Sequence, residues 1–557
     1  MPAKSDTRAS AGAVPVSRRV DRGHGRGLPL GAVRGGAAAV RAAVSSWCEP
    51  AWGAIALTAG FVALTCWWLT QDRSIPVYDA GEHLWTTIYF HNLIQSGRLL
   101  EPFDYNSQYP PLGELVGSLS AFVGGVDVAS PIVGENLVFV PLLALGCYRT
   151  GRLLFTPAAG LLAAACALGS PLLIAQFHVF MLDAPETAMV AVSIWLLLES
   201  RGFSRVGMSA LAGLAVAAGL LVKVQFPFFI LGIVLCALLL GGWRNRRGFL
   251  TFCAVVVVLG SPWYLDHLSE LSTISQLAGA ESGATSGNLP TIVSIHNLTW
   301  YLWSILDDQL LVPLFALLAG GLLWTAVMLA RRHGDRLDAR SEFLVGGIVA
   351  WLAISLTPHH DIRYGMPLLP YLAVMATGWI VYLPLLARRV AVGVLVLGVA
   401  LNTAGTTFGA GGQASIPIPR SISATYVLPA SFVLYSSHGF LVSGPRRDGD
   451  VPGLFEALRR NGVSAVDWSL EEGAGPGFSS AGLYALALIA ELSPAATEGV
   501  QFSKSSVVAT LIDKPVPAHG PPPCTTLGDG TGVYVVRANP ASGARTLYCP
   551  YRHPAFY

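Results

Sequence analysis

Residues 111–126 read Pro-Leu-Gly-Glu-Leu-Val-Gly-Ser-Leu-Ser-Ala-Phe-Val-Gly-Gly-Val, and the topology of the whole chain turns on how they are taken. They are apolar enough to tempt a membrane span, yet Glu114, Ser118 and Ser120 interrupt them. A helix needs about 20 mostly apolar residues to cross the hydrocarbon. Eleven other stretches approach that length, at roughly 51–69, 131–149, 157–175, 184–199, 207–222, 226–241, 249–265, 309–330, 343–357, 364–387 and 390–408. Arginine decides between eleven and twelve. Arg149/Arg152, Arg201/Arg205, Arg244/Arg246/Arg247, Arg331/Arg332/Arg336/Arg340 and Arg388/Arg389 fall at every second connection of the eleven, and short cytoplasmic loops hold the excess of Lys and Arg. A twelfth span at 111–126 would put Arg149 and Arg152 outside and invert that rule downstream. The segment is therefore expected to be an interfacial helix lying against the outer membrane surface.

Composition agrees. Of 557 residues, 53% are apolar and only 12% charged, where an ordinary soluble chain carries about 25% charged. That surface has to be hidden in lipid, which excludes a cytosolic enzyme, a nucleic-acid binder and a disordered scaffold. Residues 1–47 hold eight Lys/Arg against two acids, without helical or strand periodicity. They are expected to form a disordered basic arm on the cytoplasmic side. Residues 48–408 then make an all-α polytopic membrane domain of eleven spans, with its N-terminus inside and its C-terminus outside. Two outer loops stand out. The first, 70–130, is long and rich in acids and aromatics, and loops of that length are usually functional or disordered. The second, 266–298, has a Gly/Ser-rich middle (Gly279 to Gly287) that reads as a mobile lid. From 409 the chain turns Pro/Gly-rich. Strand-like Phe432–Tyr435 and Val463–Trp468 flank helix-like Val451–Arg460, so 409–557 is expected to be a small exoplasmic α/β domain. Cys524 and Cys549 are the two cysteines in that polar region, an even pair expected to form a disulfide if the region is outside.

Chemistry-bearing residues concentrate at the outer loops and outer span ends. In Tyr78-Asp79-Ala80-Gly81-Glu82-His83, a helix starting here puts Asp79, Glu82, His83 and Thr86 on one face. A carboxylate at the lipid–water boundary can take a proton from an acceptor hydroxyl; the competing structural use is an Asp N-cap with Glu three positions on. Tyr109-Pro110-Pro111-Leu112 sets an extended approach and then starts a helix. Asp183-Ala184-Pro185-Glu186 follows His178 at an outer span end, where Asp183 is also a good helix cap. Pro358-His359-His360-Asp361-Ile362-Arg363-Tyr364 joins two spans, and the planar fork of Arg363 suits a phosphate or an ion pair with Asp361. Lys223 closes an apolar span, where snorkelling is the commoner use of lysine. Pro262-Trp263-Tyr264 reads as an aromatic belt. No cofactor is required on this reading, and no metal is assigned; Asp79/Glu82/His83 and His359/His360/Asp361 are the groups that could take a divalent ion.

Taken in order, Asp79 to His83, Tyr109-Pro-Pro-Leu, Phe180-Met-Leu-Asp-Ala-Pro, Gly213 to Lys223, Ser261-Pro-Trp-Tyr and Arg363-Tyr-Gly-Met-Pro-Leu-Leu-Pro resemble the GT-C superfamily of integral membrane glycosyltransferases. The likeness is to the branch of bacterial protein O-mannosyltransferases and aminoarabinose transferases, and it covers about 50–408. It implies a plasma-membrane enzyme that moves a sugar from a polyprenyl-phosphate donor to a lipid, glycan or protein acceptor on the outer face, without nucleic acid as a partner. By that resemblance Asp79 is the general base, with Glu82 and Asp183 completing the catalytic set. His83, Tyr109, Lys223, His359, His360, Arg363 and Tyr364 would bind substrate, Arg363 and Lys223 holding the phosphate. The pattern departs at Ala80, which separates Asp79 from the next acid, Glu82. The rival reading is a membrane transporter or lipid flippase without transferase chemistry, against which stand the single long first loop and the lack of repeats.

Overall fold

A computed structural model describes residues 52–72, 76, 78–105, 109–239, 242–269, 271, 294–331, 339–357, 360–410, 412–421, 431–436, 455–456, 459, 465–470, 492, 501–502, 509–515, 525–526, 531–538 and 545–548. Helix α1 (Trp52–Gln71) is followed by α2 (Tyr78–Gln95), the single turn α3 (Glu101–Asp104) and α4 (Leu112–Gly124). Next come α5 (Ala129–Leu154), α6 (Pro157–Leu168), α7 (Pro171–His178), α8 (Asp183–Ser200), α9 (Val206–Leu220), α10 (Pro227–Leu239) and α11 (Arg246–Asp266). Helix α12 (Ile295–Ser304) runs through a π-helical turn, Ile305–Leu310, into α13 (Leu311–Arg331). Helix α14 (Ala339–Ser355) leads to a 3-10 turn, Ile362–Leu368, then to α15 (Leu369–Gly378) and α16 (Leu385–Phe408).

A helix occupies each of the eleven apolar stretches. Among the described residues, six helical segments, Trp52–Gln71, Ala129–Leu154, Arg246–Asp266, Ile295–Ala330, Ile362–Tyr382 and Leu385–Phe408, are long and apolar enough to cross a membrane alone. The pair α6 and α7, bent by 61°, makes a seventh if taken as one span. The bend has a local cause. Pro171 offers no N–H to the preceding turn, and the Ser170 hydroxyl accepts from Leu173 N–H to start a new helix. The chain is a multi-pass membrane protein.

Helix α4 answers the question posed by 111–126. At 13 residues it is about 20 Å long, too short to span, and it packs against α2 and α5. Its polar face does not look outward as the isolated sequence suggests. Gly113, Glu114, Gly117, Ser118 and Ala121 are buried, while Leu119, Phe122 and Val123 are exposed. The carboxylate has an internal partner, His83, and the small residues let the helix approach closely. Elsewhere the bundle uses the same device. A Cβ on Gly160 of α6 would stand 2.2 Å from the Tyr148 carbonyl oxygen of α5, so glycine permits backbone contact of the kind membrane helices favour.

The two ends of the bundle differ. At one, Arg340 Nε donates to the Leu154 carbonyl at 2.8 Å and its guanidinium lies over Phe155. Arg205 pairs with Glu199 at that end, after α8. At the other end Trp68 stacks on His178, Asp79 meets Arg363 and Asp183 meets Lys223. Trp263 does not face outward as a belt residue would; it is buried against His267, and the Tyr264 hydroxyl donates to the Leu220 carbonyl.

After α16, strands β1 (Gln413–Pro417) and β2 (Ser431–Ser436) pair antiparallel. Strand β2 packs on α13 and on the π turn, and Val433 N–H donates to Asp307 Oδ1 at 3.3 Å. A separate mixed sheet contains β3 (Ala465–Leu470), β4 (Gln501–Phe502), β5 (Ala509–Pro515), β6 (Thr525–Thr526), β7 (Thr531–Ala538) and β8 (Arg545–Tyr548). Its order is β4-β3-β5-β7-β6, with β8 also on β7; β3 is parallel to β4 and β5, and β7 is antiparallel to its neighbours. Both expected strands are present as β2 and β3. Phe455, Glu456 and Arg459 are helical. The rest of the expected 451–460 helix, the arm 1–47, the 279–287 lid, Cys524 and Cys549 lie outside the described residues.

Candidate active site

Asp79 sits in the first turn of α2, one residue inside a helix that begins at Tyr78. It is therefore not the N-cap, although a carboxylate there still benefits from the positive end of the helix. Its partner lies 284 positions away: Arg363 Nη1 donates to Asp79 Oδ2 at 2.8 Å. The 3-10 turn holds that arginine in place from its own start. Asp361 accepts the Arg363 backbone N–H at 2.8 Å, Nε at 3.1 Å and Nη2 at 2.8 Å. Three of the five guanidinium protons are thus engaged, leaving one on each terminal nitrogen. The expected ion pair of Arg363 with Asp361 is present, and a second with Asp79 stands beside it.

Lys223 follows the end of α9 and does not snorkel. It is 8% exposed and its Nζ donates to Asp183 Oδ1 at 2.6 Å. Asp183 is not a cap, because Leu182 holds the N-cap position of α8; its carboxylate is given to the lysine instead. One turn on, Glu186 Oε2 accepts from Gln225 Nε2 at 3.0 Å. The Lys223 ammonium also lies 5.2 Å from the centre of the Tyr364 ring, which joins the pair to the turn carrying Arg363.

The electrostatics follow from these contacts. Burial pushes the Asp79 carboxyl up, but the charge and hydrogen bond of Arg363, aided by the charges of His83 and Lys223, outweigh it and leave the group below the ordinary Asp range. Asp361 behaves alike: burial raises it, and its Arg363 bonds, with Lys223 adding, carry it lower. At neutral pH both are ionised. The structure thus brings Asp79, Asp183, Lys223, Arg363 and Tyr364 into one charged cluster at one end of the bundle.

The remaining sequence candidates are placed differently. Glu82 is half-buried, and its charge adds to burial in raising the Tyr105 and Tyr109 hydroxyls. His83 turns inward: it is 2% exposed, its Nδ1 lies 3.0 Å from Glu114 Oε1, and Tyr109 packs edge-on against its ring. His360 packs against the rings of Trp300 and Tyr301, while His359 lies outside the described residues. Asp79, Glu82 and His83 do not converge as ion ligands, since Asp79 faces Arg363 and His83 faces Glu114. Among the described residues no three His, Cys, Asp or Glu are grouped as a metal site requires. Glu114 was not among the expected site residues; its signal in the sequence is a lone acid in an apolar helix.

Residues 108–265 match the family described as dolichyl-phosphate-mannose-protein mannosyltransferase, which bears out the resemblance over that stretch. No curated protein matches the chain. Among solved structures, ArnT from Cupriavidus metallidurans in the apo state is 16% identical, with 82% of this chain and 78% of that one covered and a TM-score of 0.46. The same protein bound to undecaprenyl phosphate gives 16% identity, 81% and 78% coverage and a TM-score of 0.44. The Archaeoglobus fulgidus oligosaccharyltransferase in complex with Zn and sulfate gives 12%, 82% and 68%, and 0.42.

Proposed function

We propose that the chain is a membrane glycosyltransferase that moves a sugar from a polyprenyl-phosphate donor to an acceptor hydroxyl. The reaction takes place at the extracytoplasmic end of an eleven-span bundle in the plasma membrane, with the N-terminus cytoplasmic. The observation that carries this reading is the Arg363 fork held between Asp79 and Asp361, beside the Lys223–Asp183 pair. An ionised carboxylate in contact with an arginine that keeps unengaged donors is what supports a reaction with a phosphate leaving group.

The chemistry follows from the charges. Asp79 is ionised at rest, but its bond to Arg363 makes it a weak base. A donor phosphate offers Arg363 a doubly accepting partner. As the arginine turns to it, Asp79 loses the stabilising cation and gains basicity where the acceptor arrives. Asp79 then takes the hydroxyl proton, the acceptor oxygen bonds to the sugar C1, and the C1–O bond to phosphate breaks with its electron pair leaving on the polyprenyl phosphate. Arg363, and Lys223 behind it, stabilise the negative charge that develops there. Asp183 holds Lys223 in position.

Membranes containing the protein should transfer radiolabel from a polyprenyl-phosphate sugar, and Arg363→Gln should weaken donor binding while leaving the protein folded. Movement of the lipid across the bilayer with no transfer of label would support a flippase and sink this reading.

A further inference from the structure

Beside the charged cluster lies a set of buried polar groups that the proposed chemistry does not use. The π turn Ile305–Leu310 breaks the regular run from α12 to α13, and Leu311 after it has a left-handed φ of 56°. Such turns recur at functional sites because they re-aim side chains. Here the turn carries Gln309, which is fully buried with neither its Oε1 nor its Nε2 hydrogen-bonded. The turn packs on α7 and on the 3-10 turn of Arg363. Helix α7 ends in His178, which is 1% exposed, has no hydrogen bond at either ring nitrogen and stacks on Trp68 at 4.4 Å. Gln176, on the same helix, has an unbonded Oε1.

A buried amide left without partners is costly, and native interiors avoid it unless a ligand or water completes the bonding. Gly365 shows how tightly Gln309 is kept near the clamp: a Cβ there would stand 3.2 Å from Gln309 Nε2 and 2.7 Å from Tyr301 Cδ1. Gln309 is therefore held two residues from Arg363. Neutral amides, an imidazole and aromatic rings are the means by which a concave site binds a polyhydroxylated ring, with a few convergent polar groups in an apolar wall.

We propose that Gln309 and His178 form the subsite for the sugar ring of the donor, recognising a neutral, hydroxyl-rich sugar attached to the phosphate that Arg363 holds. This rests on the functional reading above. Gln309 offers both donors and an acceptor to sugar hydroxyls, and His178 offers one of each.

The test compares two lipids on purified protein in nanodiscs, a polyprenyl phosphate and the same lipid carrying mannose. The wild type should prefer the mannosyl lipid. Gln309→Met, which replaces the amide with an apolar chain of similar volume, should lower that preference by about tenfold, the scale of a lost buried hydrogen bond. Its affinity for the bare phosphate should not change. His178→Phe keeps the stack on Trp68 and should act in the same direction. Because an unpaired amide is removed, Gln309→Met should also unfold at a higher temperature in the absence of lipid. If both variants keep the full mannosyl preference, the subsite is wrong while the transferase reading stands. If the wild type binds neither lipid, the functional reading fails and the subsite with it.

Discussion

The Asp79–Arg363 bond joins the side chain proposed to take the proton to the one proposed to hold the phosphate. Asn at position 79 keeps the size of the side chain and can still accept a hydrogen bond from Arg363, but it cannot take a proton. Asp79→Asn should therefore lower turnover by about 10²–10⁴-fold, the usual cost of losing a general base. Its stability cost should stay within about 1 kcal/mol, since the Asp79 side chain is 40% exposed and solvent screens the pair. The pH dependence has a definite sign. Asp79 is held below its unfolded value of about 3.9, so its contribution is fully present above that value and is lost as pH falls through the folded one. Thermal unfolding of wild type and Asp79→Asn should differ slightly near neutrality and converge below about pH 4. A gap that persists in acid would mean the ion pair is not its source.

These residues were legible because each is a charge in a sequence that is otherwise short of them. Their pairing was not. Contact between positions 79 and 363 depends on how the spans are arranged, and no local pattern records it. Gln309 left no mark at all, since a neutral side chain near a span end looks ordinary until its lack of partners is seen.

At the scale of elements, two ties can be tested. The buried Lys223–Asp183 bond fastens the end of α9 to the start of α8. Lys223→Met alone would strand a carboxylate that is 1% exposed and should cost about 3–5 kcal/mol. Adding Asp183→Asn should recover a large part of that loss, measured by unfolding of the double variant. Simple addition of the two costs would show the residues to be independent. The second tie concerns the sheet. Thr525 of β6 pairs with Val533 of β7, and Tyr548 of β8 pairs with Val535 of the same strand. The residues next to Cys524 and Cys549 in sequence therefore register two positions apart on one strand. A disulfide between them should appear as thiols that label only after reduction, with its loss costing about 3 kcal/mol; equal labelling before and after reduction would show no bridge. Helix existence was readable here from apolar length, and strands β2 and β3 from their β-branched and aromatic runs. The inward turn of the polar face of α4 was not, because amphipathicity shows that two faces differ without saying which one meets protein.

For the whole molecule, the described members of the arginine clusters fall at the opposite ends of the helices from the Asp79–Arg363 site, so one orientation puts every arginine cluster on the cytoplasmic side. Cysteines placed at Ser107 and Ser443 should react with an impermeant reagent in intact cells, and one at Arg336 should not; the reverse pattern would invert the topology and put the cluster inside. On the proposed function, this end of the bundle transfers a sugar, with Asp79 taking the proton. Single-turnover transfer from a radiolabelled polyprenyl-phosphate sugar, by purified wild type and Asp79→Asn at equal donor occupancy, measures it directly. The wild type should release polyprenyl phosphate with a labelled acceptor, and the variant should lose that step with donor binding retained. Near-normal turnover by Asp79→Asn would contradict it.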